Sequence, residues 1–280
     1  MISFRIYRYQ LLPNDRTFQG SIFDGRSVED IIANKNKLFW EAKDEIDIFH
    51  SNRSKSITKK IFDSKDIAIF RSGVERKLKR ATEDFKEEIL DTWPDSLVIL
   101  WNDPEQQIIA IQHNPQAFGS TDTLLRTIVR NTNKFLNIYQ LSMYAYPIYN
   151  QSEFWQYIES HKGKIEAIEF SFLTPNMSSI SKAITEDLKE FAKSTNSAKN
   201  KLEIRAHENS TLVVEKDNQQ AVGLVSYSSA GGGEIRVKIR GLRKKVTIGD
   251  NTRETEIDKL EIESEDHEKI IDAVTALLNG

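Results

Sequence analysis

Two apolar runs joined by a turn constrain this chain more than any other feature. Leu97-Val-Ile-Leu-Trp101 and Ile108-Ile-Ala-Ile111 flank Asn102-Asp-Pro-Glu-Gln-Gln107, the signature of a β-hairpin. Neither run alternates apolar with polar residues, so both faces of each strand need cover and the hairpin belongs at the centre of a sheet. A chain of 280 residues that is 39% apolar is large enough to supply that cover.

The segments around the hairpin have the periods of both helices and strands. Met1 to Tyr9 alternates and carries Arg5 and Arg8, which reads as a first strand and not as a signal peptide. Ser27 with Asp30 three residues on marks a helix start, followed by Val28, Ile31, Ile32, Phe39 and Ala42 at helical spacing. Residues 46–92 have poor periodicity, with Ile67-Ala-Ile-Phe70 as a short strand. After the hairpin, a helix capped at Ser120, a Tyr-rich strand from Leu141 to Ile148, a helix capped at Ser152 and ended by Gly163, and a strand from Ile165 to Leu173 follow one another. A helix through Met177, Ile180, Ile184, Leu188 and Phe191 leads to a strand at Leu202.

The last third reads as strands at Thr211–Val214, Gly223–Tyr227, Ile235–Arg240, Lys244–Ile248 and Glu256–Ile262, then an amphipathic helix from Asp266 to Leu278. The expected class is α+β: a mixed sheet with a β-hairpin and alternating helices, followed by a β-rich carboxy-terminal part ending in a helix. A border near residue 195 divides an α/β region, 1–195, from the β-rich region, 196–280.

Several chemistries are excluded by residue type. With no cysteine there is no disulfide, thiolate metal site or cysteine nucleophile, which fits a reducing compartment. The sole Gly-Lys, Gly163-Lys164, precedes Ile165, so there is no phosphate-binding Walker loop. The five histidines lie far apart, and no Gly-x-Ser-x-Gly elbow exists. No run approaches the ~18 apolar residues of a membrane span. The expectation is a cytoplasmic protein with no cofactor, no metal and no membrane contact. Glu41-Ala-Lys43 and Asp63-Ser-Lys65 have the acid-x-lysine form used by metal-dependent nucleases, a form that arises by chance in a chain 29% charged.

Charge nearly cancels, with 39 Lys and Arg against 42 Asp and Glu, but it is segregated along the chain. From Arg53 to Arg80 ten bases outnumber three acids, and Glu83 to Asp95 then carries six acids against Lys86. Such blocks can neutralise each other across a helix pair. In Gly231-Gly-Gly-Glu-Ile-Arg-Val-Lys-Ile-Arg240, strand alternation puts Arg236, Lys238 and Arg240 on one face, roughly 6.5 to 7 Å apart, with Ile235, Val237 and Ile239 on the other. Arg243, Lys244 and Lys245 extend the cationic surface. That spacing suits phosphates along a nucleic-acid strand, with Gly231, Gly232 and Gly233 as a phosphate-contacting loop and Arg76, Lys77, Lys79 and Arg80 as a second basic element. An edge strand guarded by cations explains the same residues equally well. The acidic run Glu254 to Glu268 could fold over the patch. Tyr144, Tyr146 and Tyr149 could stack bases, or belong to the core.

Val74-Glu75-Arg76, Asp84-Phe85-Lys86, Trp93-Pro94, Phe154-Trp155, Phe172-Leu-Thr-Pro-Asn-Met177, Gly231-Gly-Gly, Lys238 and Gly241 occur together. In these landmarks the chain resembles an uncharacterised group of bacterial proteins found among phage-defence and mobile-element genes. The resemblance implies a setting in antiviral defence and carries no catalytic residue. The leading expectation is therefore an accessory nucleic-acid-binding protein, DNA or RNA. The alternatives are a protein-interaction or oligomerisation subunit of a defence complex and, third, a metal-dependent nuclease.

Overall fold

The computed structural model describes residues 2–15, 27–51, 54–174, 185–249 and 254–257, with Lys269, Asp272, Thr275 and Ala276 as helical positions near the carboxy terminus. The fold is α+β. Every ladder among the described residues is antiparallel.

The first sheet is built on β1 (Ile2–Pro13), β2 (Ser56–Asp63), β3 (Ile67–Val74), β6 (Asp95–Trp101), β7 (Ile108–Gln112), β8 (Leu141–Pro147) and β13 (Glu254–Ile257). Its order is β13-β1-β7-β6-β3-β2. β1 is long enough to use one edge twice: residues 2–5 pair with β13 and residues 7–13 with β8, while β7 takes the other edge. The apolar hairpin is β6–β7, and it lies at the centre as its sequence demands. Val98, Leu100, Ile109 and Ile111 face a core shared with α1 (Val28–Glu45) and α2 (Thr121–Leu136), whereas Leu97, Ile99, Ile108 and Ala110 face a second core with Phe4, Ile6 and Ile69. α1 starts at the Ser27–Asp30 capping box.

The second sheet runs β10 (Lys199–Arg205), β9 (Ile165–Leu173), β11 (Gly233–Ile239), β12 (Val246–Thr247). It draws strands from both sides of residue 195, so the expected border passes through a ladder. Its apolar face, Ile168, Phe170, Phe172, Ile235 and Val237, packs with residues of α3 (Gln151–Ser160) and α5 (Gln219–Tyr227). A further helix, α4 (Glu186–Ser194), precedes β10. The remaining strands, β4 (Arg76–Ala81) and β5 (Glu87–Thr92), pair only with each other.

Several expectations need correcting. Gly223–Tyr227 is helical: Asn218 accepts the Ala221 N–H as an N-cap, and Ala221, Leu224 and Val225 bury against the second sheet. Tertiary packing thus overrides the strand tendency of Val222, Val225 and Tyr227. Thr211–Val214 joins no ladder, and its amide contact is Leu212 N–H to the Ile165 carbonyl. α3 is capped by Asn150, which accepts the Ser152 N–H, and not by Ser152. In the 244–248 stretch only Val246–Thr247 is paired. The helix positions Met177, Ile180 and Ile184, and the strand residues beyond Ile257, lie outside the described residues.

Candidate nucleic-acid interface

The alternation in β11 places its side chains as the sequence requires: Ile235, Val237 and Ile239 are buried, Arg236 is exposed and Lys238 half-exposed. Arg236 faces Glu169 of β9, which in turn faces Glu203 of β10. The solvent face of the sheet therefore has a carboxylate row crossing its cationic strand.

Glu169 is the hub of that face. Lys201 Nζ lies 2.8 Å from its Oε2, Lys245 bonds the same oxygen, and Arg236 approaches Oε1 at 3.9 Å. Hydrogen bonds from Lys201 and Lys245 hold the Glu169 carboxyl down at about 2. Lys245 also reaches Glu203 at 3.2 Å, and Arg205 reaches it at 2.7 Å, so this carboxyl too is held below its ordinary range. The Lys245 ammonium is raised in return, chiefly by its bond to Glu169.

Arg236 pairs with Glu234 at 2.8 Å. Arg240 donates to the Ser210 carbonyl at 2.9 Å and lies 3.7 Å from Glu166, and Lys238 donates to the Leu242 carbonyl. Arg243 and Lys244 are exposed on the turn after β11, with no ion pair or hydrogen bond among the described residues. The acids that answer the cationic strand are Glu234 of β11 itself and Glu166 and Glu169 of β9. Of the acidic run expected to cover it, Glu254–Ile257 pairs with β1 in the first sheet and the rest lies outside the described residues.

Sequence reasoning missed the charges of β10. Lys199, Lys201, Glu203 and Arg205 recur with the same period of two as β11 and fall on the same solvent face, a pattern legible in Lys-Asn-Lys-Leu-Glu-Ile-Arg.

The other nominated groups have different surroundings. Gly231, Gly232 and Gly233 are buried. A methyl at Gly231 would overlap Arg8, at Gly232 the Tyr227 ring and at Gly233 the Ser171 carbonyl. Their use is close packing between the two sheets, with no open loop for a phosphate. Arg76, Lys77, Lys79 and Arg80 stand on β4, in a different sheet from β11. Arg80 pairs with Glu88 at 2.8 Å, Lys79 with Glu87 at 3.0 Å, and Arg76 donates to the Ala117 carbonyl. The opposed charge blocks thus neutralise each other across a hairpin in place of the expected helix pair. Tyr149 is buried in the core of the second sheet, and Tyr144 and Tyr146 are half-buried on β8.

The two acid-x-lysine triplets do meet, through Lys43 and Asp63. Lys43 Nζ, whose side chain is 1% exposed, lies 3.0 Å from Asp63 and 2.8 Å from Asp44; Lys60 binds the same two acids at 2.6 and 3.1 Å. This square of two cations and two anions is neutral and internally satisfied. No cluster of three or more metal-ligating side chains occurs among the described residues.

With this geometry in hand, comparison with known proteins adds no relative: no family model, no curated protein and no solved structure matches the chain.

Proposed function

We propose that this chain binds nucleic acid electrostatically through the solvent side of its second sheet and the turn after β11, as an accessory protein in the phage-defence or mobile-element setting its resemblance implies. The observation supporting this reading is an excess of fixed cations. Strands β9 and β10 and the segment 233–247 together carry nine Lys and Arg against four Glu. Each of Glu169, Glu203 and Glu234 is already engaged by its neighbours, so the surplus faces solvent. Arg243 and Lys244 head that surplus.

Arginines and lysines spread over a sheet face neutralise phosphates and release counterions, a gain that is independent of base sequence. By strand alternation this face bears Ala167, Glu169, Ser171, Leu173, Lys199, Lys201, Glu203, Arg205, Glu234, Arg236, Lys238 and Thr247, and none of these is an aromatic that could stack a base. The reading is therefore one of backbone contact, strong in low salt and indifferent to sequence.

Fluorescence anisotropy with labelled oligonucleotides of unrelated sequence tests it. Wild type should bind each about equally at about 50 mM salt, with log affinity falling linearly in log salt. Arg243→Glu with Lys244→Glu should weaken binding and flatten the salt slope by about 0.7 to 0.9 for each phosphate that is no longer neutralised, with the melting temperature unchanged. Absence of wild-type binding at that salt, or an unaltered slope in the variant, would overturn the proposal.

A further inference from the structure

β4 and β5 are the outer half of a longer ribbon. Gly73 faces Asp95 in the β3–β6 ladder and, three residues on, Arg76 faces Thr92 in the β4–β5 ladder, so one register runs through both. Inside the sheet β3 and β6 have neighbours on either side; beyond it β4 and β5 have only each other. Six residue pairs at about 3.3 Å per residue carry the ribbon about 20 Å from the sheet. A lone two-stranded ribbon is marginal in water, yet this one exposes Leu78, Ile89 and, at its tip, Phe85. Apolar side chains displayed on a projecting element mark an interaction surface.

The charge pattern says what docks there. Residues 76–92 hold five bases and five acids, so the arm as a whole exerts no pull on a polyanion. Its strands, however, are of opposite sign: Arg76, Lys77, Lys79 and Arg80 with no acid on β4, Glu87, Glu88 and Asp91 with no base on β5. Two copies joined edge to edge by a two-fold axis would align β4 with β4 or β5 with β5, like charge on like. A two-fold axis along the ribbon instead lays β4 of each copy over β5 of the other, and both strands are matched at once.

Of the two faces, one has an apolar centre. Leu78 faces Leu90 across the ladder with Arg80 facing Glu88 beside them, whereas on the other face Ile89 stands opposite Lys79. We infer that a second copy of this chain docks on the Leu78–Leu90 face, leucine on leucine and Arg80 of each copy against Glu88 of the other. The interface is small beside a standard one, so the association is concentration-dependent and weakens as salt rises.

Sedimentation velocity over a concentration series tests this on the full chain. Wild type should move from one chain toward two as concentration rises, and Leu78→Asp should stay at one with its melting temperature unchanged. Arg80→Glu and Glu88→Arg should each weaken association roughly tenfold or more. The two together should restore it, since the opposite signs are again superposed. Mixed with isotopically labelled wild type, the doubly exchanged chain should form no mixed pair in native mass spectrometry. A wild type that stays at one chain at every concentration overturns the inference, as does a dimer that survives Leu78→Asp or a doubly exchanged chain that pairs freely with wild type.

Discussion

Lys201 Nζ stands 2.8 Å from Glu169 Oε2, one strand over in the second sheet, and with Lys245 it ties three parts of the chain to a single carboxylate. The cationic face is held in place by this carboxylate and would otherwise repel itself.

The Glu169 carboxyl sits at about 2 in the fold against an ordinary value of 4.5. A depressed acid stabilises the folded state above its ordinary value and loses that contribution as pH falls toward the folded one. Unfolding by urea should therefore give a midpoint that declines between about pH 4.5 and pH 2. Glu169→Gln should lose roughly 1–3 kcal/mol at neutral pH and flatten the decline.

Gly233 and Gly241 should differ in how strongly each resists alanine. A methyl at Gly233 meets the Ser171 carbonyl and the Phe172 backbone, which cannot move without breaking the β9–β11 ladder, so the cost should be roughly 1–3 kcal/mol or more. At Gly241 nothing lies within 4 Å, and only its φ of +86° matters, about 1–2 kcal/mol. Denaturant midpoints of the two variants give the comparison.

Asp63→Ala removes one of the two anions that hold Lys43, an ammonium buried beside the Trp40 ring at 4.7 Å. Breaking such a pair leaves a poorly compensated buried charge and should cost roughly 3 kcal/mol. Lys43→Met with Asp63→Ala should recover part of that loss, read as a thermal double-mutant cycle.

Asn218→Ala takes the cap from α5 and should cost about 1 kcal/mol, seen as a lowered urea midpoint.

What the sequence revealed follows from how each element is covered. β6 and β7 were legible because burial on both faces leaves an unbroken apolar run, and α1 because its capping box is local. β4 and β5 were illegible for the opposite reason: with solvent on both faces, Arg76–Ala81 and Glu87–Thr92 lack the apolar alternation that betrays a strand. α5 misleads because its β-branched and aromatic residues are made helical by packing that no local window contains. On the candidate interface, the spacing of Arg236 and Lys238 could be read directly. Glu234, two residues before Arg236, is local too, but Glu169 was not legible, since it lies in a strand tens of residues away and joins Arg236 only through register.

The pairing of β13 with β1 has a consequence for the order in which the protein can be made. Phe4 pairs with Thr255 and Arg5 with Glu254, so strands separated by almost the whole chain are neighbours. On the ribosome β1 emerges long before Glu254–Ile257, and part of one of its edges stays bare until they follow. Contacts of such sequence separation slow folding, and an unpaired edge in the interval is open to the wrong strand. Synthesis is thus the stage at which this sheet is most exposed to misassembly, and the arrival of Glu254–Ile257 is the event that ends it.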